Sequence, residues 1–304
     1  MARIMRMGRI ELKVLDLERS VDYYTNVIGL EETGRVGNSV YFKAWDEYDH
    51  HSLIITKAKS AGVAHIAFKV ETLDDLAYYE KQVERFGCTT TRISNNKRLG
   101  EGEAVHFILP TGQHCELYHE IEVLGTAVGN MNPHPWPLDK KGIAPHRLDH
   151  CLLTGEDLKT ATRFFVEALD FKQSERITTV DQEELIATFL FTTNKAHDIA
   201  FVKGPDTKFH HVGFHVDDVN DVFRAADILS MHEVPFDVTP TRHGVTRGQT
   251  IYFYDPSGNR NEAFAGGSMA FPDMPLITWT EDRIGQGVFY HRRELSESFL
   301  KALT

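Results

Sequence analysis

Residues 64–76 read AHIAFKVETLDDL and residues 210–222 read HHVGFHVDDVNDV, and the likeness of these two stretches decides the fold. Farther on, VHFILPTGQHCELY (105–118) and IYFYDPSGNRNEAF (251–264) repeat at the same offset of 146. That offset pairs His65 with His211, Pro110 with Pro256, Gly112 with Gly258 and Glu116 with Glu262, and carries His51 to His197. Near the start of each copy the best sequence match has an offset of 138, where RIELKVL (9–15) meets RLDHCLL (147–153). An offset held from residue 51 to residue 118 marks an internal repeat, so the chain consists of two homologous halves.

Between the halves, NMNPHPWPLDKKGIAP (130–145) carries Pro133, Pro135, Pro137 and Pro145, which stop helices and stiffen an extended connection. We therefore expect a first repeat domain over 1–132, a linker over 133–145 and a second domain over 146–304. The stretch from Gly266 onward repeats nothing. Its Leu295, Phe299 and Leu303, at a spacing of four, predict an amphipathic tail helix that packs back onto a domain, with Phe299 helping to close a pocket.

Each half mixes two periodicities. Val219, Val222, Phe223, Ala226 and Leu229 predict a helix with one apolar face, matched in the first copy by Leu73, Leu76, Ala77 and Val83. Tyr23-Tyr24 and Phe164-Phe165 sit in comparable helices after the first strand of each half. Short strand signals cover 209–216, 249–254 and 260–264, and Asp255-Pro256-Ser257-Gly258 makes a tight turn between the last two. The fold class is α+β, with helices packed on curved, mostly antiparallel sheets.

Composition narrows the function. With 33 basic and 44 acidic side chains the net charge is −11, which argues against nucleic-acid or anionic-membrane partners. No apolar run approaches the roughly 20 residues of a membrane span. The opening MARIMRMGRIELK lacks a secretion signal, and Cys88, Cys115 and Cys151 form no paired spacing, so a cytoplasmic location is expected. Histidine is the outlier, at 16 of 304 residues.

Strand alternation puts His211, Gly213 and His215 on one face, with His210 directed away from His211. His150, His211 and Glu262 then project from three strands of one half. Two imidazoles and a carboxylate are the facial ligand set of non-haem Fe(II), which leaves positions open for the two oxygens of a substrate and for dioxygen. The repeat supplies a control: the triad maps back to Leu12, His65 and Glu116, and leucine ligates no metal. His243 maps to Lys97 and Tyr252 to His106. The first copy is expected to have lost its site. His50, His51, His65, His106 and His114 read as relics or surface residues, His215 as a candidate support for the metal ligands, and Asp217-Asp218 as a helix cap.

These residues carry a resemblance. The run Thr241-Arg242-His243, Ile251-Tyr252, Asp255-Pro256, Gly258 and Glu262 resembles the signature of type I extradiol ring-cleavage dioxygenases. KAHDIAF (195–201), HHVGFHV (210–216) and FYHRRELSESF (289–299) extend the likeness, across both halves, to the catechol 2,3-dioxygenase branch of that family. The resemblance implies the vicinal-oxygen-chelate (glyoxalase-like) fold of two domains, each of paired βαβββ modules, with an Fe(II) centre and commonly a homotetramer. It implies His150, His211 and Glu262 as iron ligands, His197 as the acid/base on the dioxygen side, and His243 and Tyr252 as hydrogen-bond partners of the substrate oxygens. The implied reaction opens catechol, or a methyl- or chloro-substituted catechol, with O₂ to a 2-hydroxymuconic semialdehyde. The rivals are a Mn(II) enzyme with the same ligands, a non-redox isomerase or lyase on the same fold, and a ligand-sequestering protein.

Overall fold

The computed structural model describes residues 3–95 and 97–304. Each half contains two βαβββ modules. In the first half these are the strand Ile4–Val14 with a short helix (Leu17–Asp22 running into a π-turn, Tyr23–Ile28) and strands Glu31–Val36, Ser39–Lys43 and Leu53–Lys57, followed by Gly62–Val70, helix Leu73–Phe86 and strands Thr90–Ile93, Ala104–Ile108 and His114–Tyr118. The second half repeats the order. Its modules are Arg147–Gly155, helix Leu158–Ala168, Lys172–Thr178, Leu185–Phe191 and Ile199–Lys203, then Phe209–His215, helix Val219–Met231, Phe236–Arg242, Gly248–Tyr254 and Arg260–Gly266. An added strand, Ile277–Thr280, pairs with the edge strand Lys172–Thr178. Residues 133–145 contain no helix or strand, and Ile143 and Ala144 bond to the carbonyls of Val27 and Ile28.

One rule of pairing places the site. In each half the first strands of the two modules lie antiparallel at the centre of the sheet, each flanked in parallel by the last strand of its own module. Side chains on the inner face of these four strands therefore meet on the axis of a curved sheet.

Polar side chains start the helices. Thr72 and Asp75 form a reciprocal capping box, Asp157 accepts from Thr160 N, and Asp218 accepts from Asn220 N and Asp221 N. Asp217 has another partner, His146, at 2.8 Å. The buried stripe of the Val219–Met231 helix is Val222, Ala225, Ile228 and Leu229. Phe223, expected on the apolar face, is 59% exposed, because consecutive residues are about 100° apart around a helix and Val222 takes the centre of the stripe. Leu73 and Val219, each the first residue of its helix, are likewise exposed.

The halves share one apolar core. Phe68 packs edge-on against Phe165 and Phe171 with ring centroids 6.0 and 5.2 Å apart, and Phe86 and Phe107 both reach Phe164. Gly258, at φ +91°, supplies the turn after Asp255, and Asp255 in turn accepts from Tyr24 of the first half.

Candidate metal centre and substrate cavity

The sheet register assembles the site as a cross-strand row. His150 on Arg147–Gly155 faces Gly213 on Phe209–His215, Gly213 faces Glu262 on Arg260–Gly266, and Glu262 faces Tyr252 on Gly248–Tyr254. His211 projects two residues from Gly213. The row works only because residue 213 has no side chain: a Cβ there would lie 2.8 Å from both nitrogens of the His150 ring.

His150, His211 and Glu262 converge and are all buried. His150 Nε2 lies 2.9 Å from Glu262 Oε2 and 3.3 Å from His211 Nε2, and His211 Nε2 lies 3.1 Å from Glu262 Oε2. Three donors each about 2.1 Å from a metal and at right angles would be about 3.0 Å apart, so the set fits one face of an octahedral ion. Burial disfavours charge on His150, but Glu262 and Asp149 outweigh it and raise the imidazole to about 9. Burial lowers His211 to about 4 despite Glu262. Burial also opposes the Glu262 carboxylate, yet the charge of His150 beside it holds it well below the usual range. A metal would take the place of the proton on His150.

Two β-bulges shape the surroundings. Asp149 and His210 are the extra residues where the two central strands shift register, and each bends toward the histidine beside it. Asp149 Oδ2 accepts from His150 Nδ1 at 2.9 Å. His210, expected to face away from His211, instead brings its Nδ1 to 2.7 Å from Nδ1 of His211. Thr250 donates to Glu262 Oε1. Sequence reading missed Asp149, His210, Gly213 and Thr250. Alternation could have found Thr250, two residues before Tyr252, whereas it pointed away from the bulge residues.

The other expected residues border the same space. His243 Nε2 lies 3.0 Å from Tyr252 Oη and 3.5 Å from Glu262 Oε1. His243 Nδ1 donates to the Val288 carbonyl, an acceptor only, so in the neutral ring Nε2 is free to accept. Burial, with Glu262 nearby, raises Tyr252 well above an ordinary phenol and keeps it a donor. The His197 ring lies 4.2 Å from that of His150, centroid to centroid, and burial, reinforced by His150, lowers its proton affinity well below the ordinary value. His215 is outside this cluster and lines an adjoining polar pocket with Arg147, Asp149, Lys195 and His197.

A cavity of about 140 Å³ opens over the three donors, with His197, His243 and Tyr252 in its wall. The rest is largely apolar, including Leu152, Ile186, Phe189, Val245 and Val288. The tail contributes Leu295, Phe299 and Leu303, but not on one helix. Between Leu295 and Leu303 only Glu297–Lys301 is helical, capped by Ser296, so Leu295 and Leu303 reach the cavity from outside the helix.

The first-half counterpart of His150 is Arg9, not Leu12. Ile10 pairs with Ile66 as Cys151 pairs with Val212, which fixes the offset of these strands at 141. Leu12 is a core residue. The Arg9 guanidinium bonds to His65 and Glu101, and to Glu116 at 2.5 Å. His51 joins through Glu101 at 3.1 Å. His50, His51 and His65 are thus buried rather than on the surface.

Residues 147–263 match the Glyoxalase/Bleomycin resistance protein/Dioxygenase superfamily, and residues 63–122 match the catechol 2,3-dioxygenase-like N-terminal domain. The chain is similar to the metapyrocatechase of Pseudomonas sp. strain CF600, 40% identical over 304 residues and 99% of each chain. It is 30% identical to a manganese-dependent 2,3-dihydroxybiphenyl 1,2-dioxygenase of Geobacillus genomosp. 3, over 97% of this chain and 96% of that one. Among solved structures, the 2,3-dioxygenase LapB from Pseudomonas sp. KL28 superposes with a TM-score of 0.90 at 44% identity, covering 92% of this chain and 98% of the other. Homoprotocatechuate 2,3-dioxygenase from Arthrobacter globiformis superposes with a TM-score of 0.89 at 26% identity, covering 98% and 91%. No helix among the described residues is long and apolar enough to cross a membrane.

Proposed function

The chain belongs to the extradiol ring-cleavage dioxygenases, and from that premise we propose that it opens catechol beside its diol, with O₂, to a 2-hydroxymuconic semialdehyde. The observation that carries this reading is the row of His150, Glu262 and Tyr252, joined by His211 and His243, beneath an apolar cavity. At about 140 Å³ the cavity is below the roughly 300–1,000 Å³ of drug-sized sites, which favours a single-ring diol over a biphenyl.

We assign His150, His211 and Glu262 as ligands of Fe(II). The bound metal would supply positive charge that favours the deprotonated diol and a path for electrons between substrate and dioxygen. The protein does the rest. Tyr252 Oη donates a hydrogen bond to one substrate oxygen, and His243 Nε2, its partner at 3.0 Å, accepts the diol proton from the same side. His197 stands across the donors from this pair, its low proton affinity leaving it a free base that takes a proton on the dioxygen side and returns it as oxygen's charge develops. Leu152, Ile186, Val245 and Val288 hold the ring and exclude water, which strengthens each of these contacts. The manganese-dependent relative makes Mn(II) the second reading, since this donor set alone does not choose between the two ions. The family resemblance supports a cytoplasmic homo-oligomer, and the three free cysteines accord with a reducing compartment.

The test is O₂ consumption by purified protein given catechol after anaerobic loading with Fe(II) or, separately, Mn(II), with absorbance of the yellow ring-opened product. One O₂ per product with Fe(II) supports the proposal. Activity with Mn(II) alone changes the metal, and no uptake with either loaded metal overturns the reaction for this substrate.

A further inference from the structure

His210 is tied at both ends. Its Nδ1 lies 2.7 Å from Nδ1 of His211, and its Nε2 lies 2.9 Å from the carbonyl oxygen of Phe299 in the tail. A carbonyl only accepts, so His210 Nε2 carries the hydrogen. In the neutral ring Nδ1 is then the acceptor, and the hydrogen between the two rings belongs to His211 Nδ1. That leaves the lone pair of His211 on Nε2, the atom aimed at Glu262 and His150.

We infer that His210 is a positioning residue for the metal centre, a relay through which the Phe299 carbonyl fixes the tautomer and ring orientation of His211. The inference rests on the reading of His211 as a ligand.

Three further observations support it. The tail is stitched to the strand that carries the pair: Phe209 and Thr304 exchange both backbone hydrogen bonds, at 2.8 and 3.1 Å. Buried Arg260 bridges the same two segments, donating to the carbonyls of His210 at 3.1 Å and Ser298 at 3.0 Å. And His210 occupies the β-bulge that aims it at His211, whereas the residue at the matching bulge of the first half is Ala64, in the half whose centre holds an arginine. Second partners of metal-binding imidazoles are usually carboxylates, carbonyls or water, and removing one costs about 10–100-fold in metal affinity. Here Asp149 serves His150 in the usual way, and an imidazole backed by a distant carbonyl serves His211.

The experiment measures Mn(II) dissociation constants of the full-length protein and the visible spectrum of its Co(II) form. His210→Leu keeps bulk and removes the acceptor, and should weaken Mn(II) binding about 10–100-fold and shift the Co(II) bands. His210→Gln can accept from His211 with its oxygen and donate to Phe299 with its nitrogen, and should recover most of the loss. Packing alone would give the opposite order, with leucine the milder change. His210→Leu at unchanged affinity and spectrum overturns the relay. His211→Ala separates the two claims: if it binds Mn(II) as tightly as the parent, the ligand assignment itself fails. Nitrogen-15 shifts of labelled histidines in the unsubstituted protein need no variant to fold. They should show the hydrogen of His210 on Nε2 and that of His211 on Nδ1, and a proton on Nδ1 of His210 overturns the proposal.

Discussion

The two halves place the same kind of row on the same kind of sheet and fill it differently. In the second half the row runs His150, Gly213, Glu262, Tyr252; in the first it runs Arg9, Ala67, Glu116, His106. Both halves keep the second histidine, as His211 and His65. What differs is the source of positive charge. The second half presents three donors around a space that a cation fits, and the first carries its cation covalently in Arg9, fully buried between Glu101, Glu116 and His65. A buried carboxylate needs a positive partner whatever its role, and a guanidinium meets that need without open positions for a substrate. Under the proposed function, binding chemistry and folding electrostatics are thus separated between two copies of one architecture.

Substitutions can break this contrast. The largest effect is expected from His211→Ala, which should abolish tight metal binding and lower catechol turnover by about 10³-fold or more, as the metal contributes several kcal/mol of charge stabilisation. Metal analysis with oxygen uptake checks it. His197→Ala should slow kcat by about 10²–10⁴-fold, the usual contribution of general acid–base catalysis, with metal content unchanged. Near-full activity of the metal-loaded variant would remove His197 from the reaction.

In the first half, Arg9→Met should leave turnover chemistry in place and lower stability by about 3–5 kcal/mol, because two buried carboxylates lose their partner. Denaturant titration reads this directly. The same variant sharpens a pH dependence. Burial disfavours the Glu101 carboxylate, but Arg9 and His51 hold its pKa down at about 2, against an ordinary 4.5. A carboxylate depressed on folding stabilises fully above its unfolded value and loses that contribution as pH falls through its folded one. The parent protein should therefore lose stability as pH drops from about 4.5 toward 2, with a slope that Arg9→Met reduces.

A single methyl group tests the geometry. Gly213→Ala should displace the His150 ring and weaken metal binding by about 10–100-fold, while its counterpart Ala67 tolerates a Cβ because Arg9 lies there instead of a histidine. The smallest expected effect is a gain. Arg9→His with Ala67→Gly should raise Mn(II) stoichiometry from one to two per chain, the second weakly bound. Arg9→His alone should not, since the methyl of Ala67 would occupy the place of the ring.

Much of this contrast was legible in the amino-acid sequence, and the exceptions share a cause. The offset of 146 aligned His65, His106 and Glu116 with their partners, and strand pairing bears that alignment out. The offset of 138 did not survive, because Arg9 and Arg147 invited a match that the sheet register places at 141. A shift of three is odd, so it moved the comparison to the opposite face and landed on the core residue Leu12. Asp149 and His210 were hidden for a related reason: a bulge suspends the alternation by which a strand is read, and bulges leave no mark in a single sequence. The tail deceived differently. Spacing of four in Leu295, Phe299 and Leu303 suggested a helix, yet all three reach the cavity with only one short turn between them.

The aromatic contact between the halves bears on the history of the chain. Phe164, Phe165 and Phe171 of the second half are fully buried partly by Phe68, Phe86 and Phe107 of the first. A half whose rings are built into its twin's core cannot be removed without uncovering them. Deleting the first half would expose a patch of rings to water. The duplication acts as a ratchet: the first half is free to differ in its chemistry, as Arg9 shows, but not to leave.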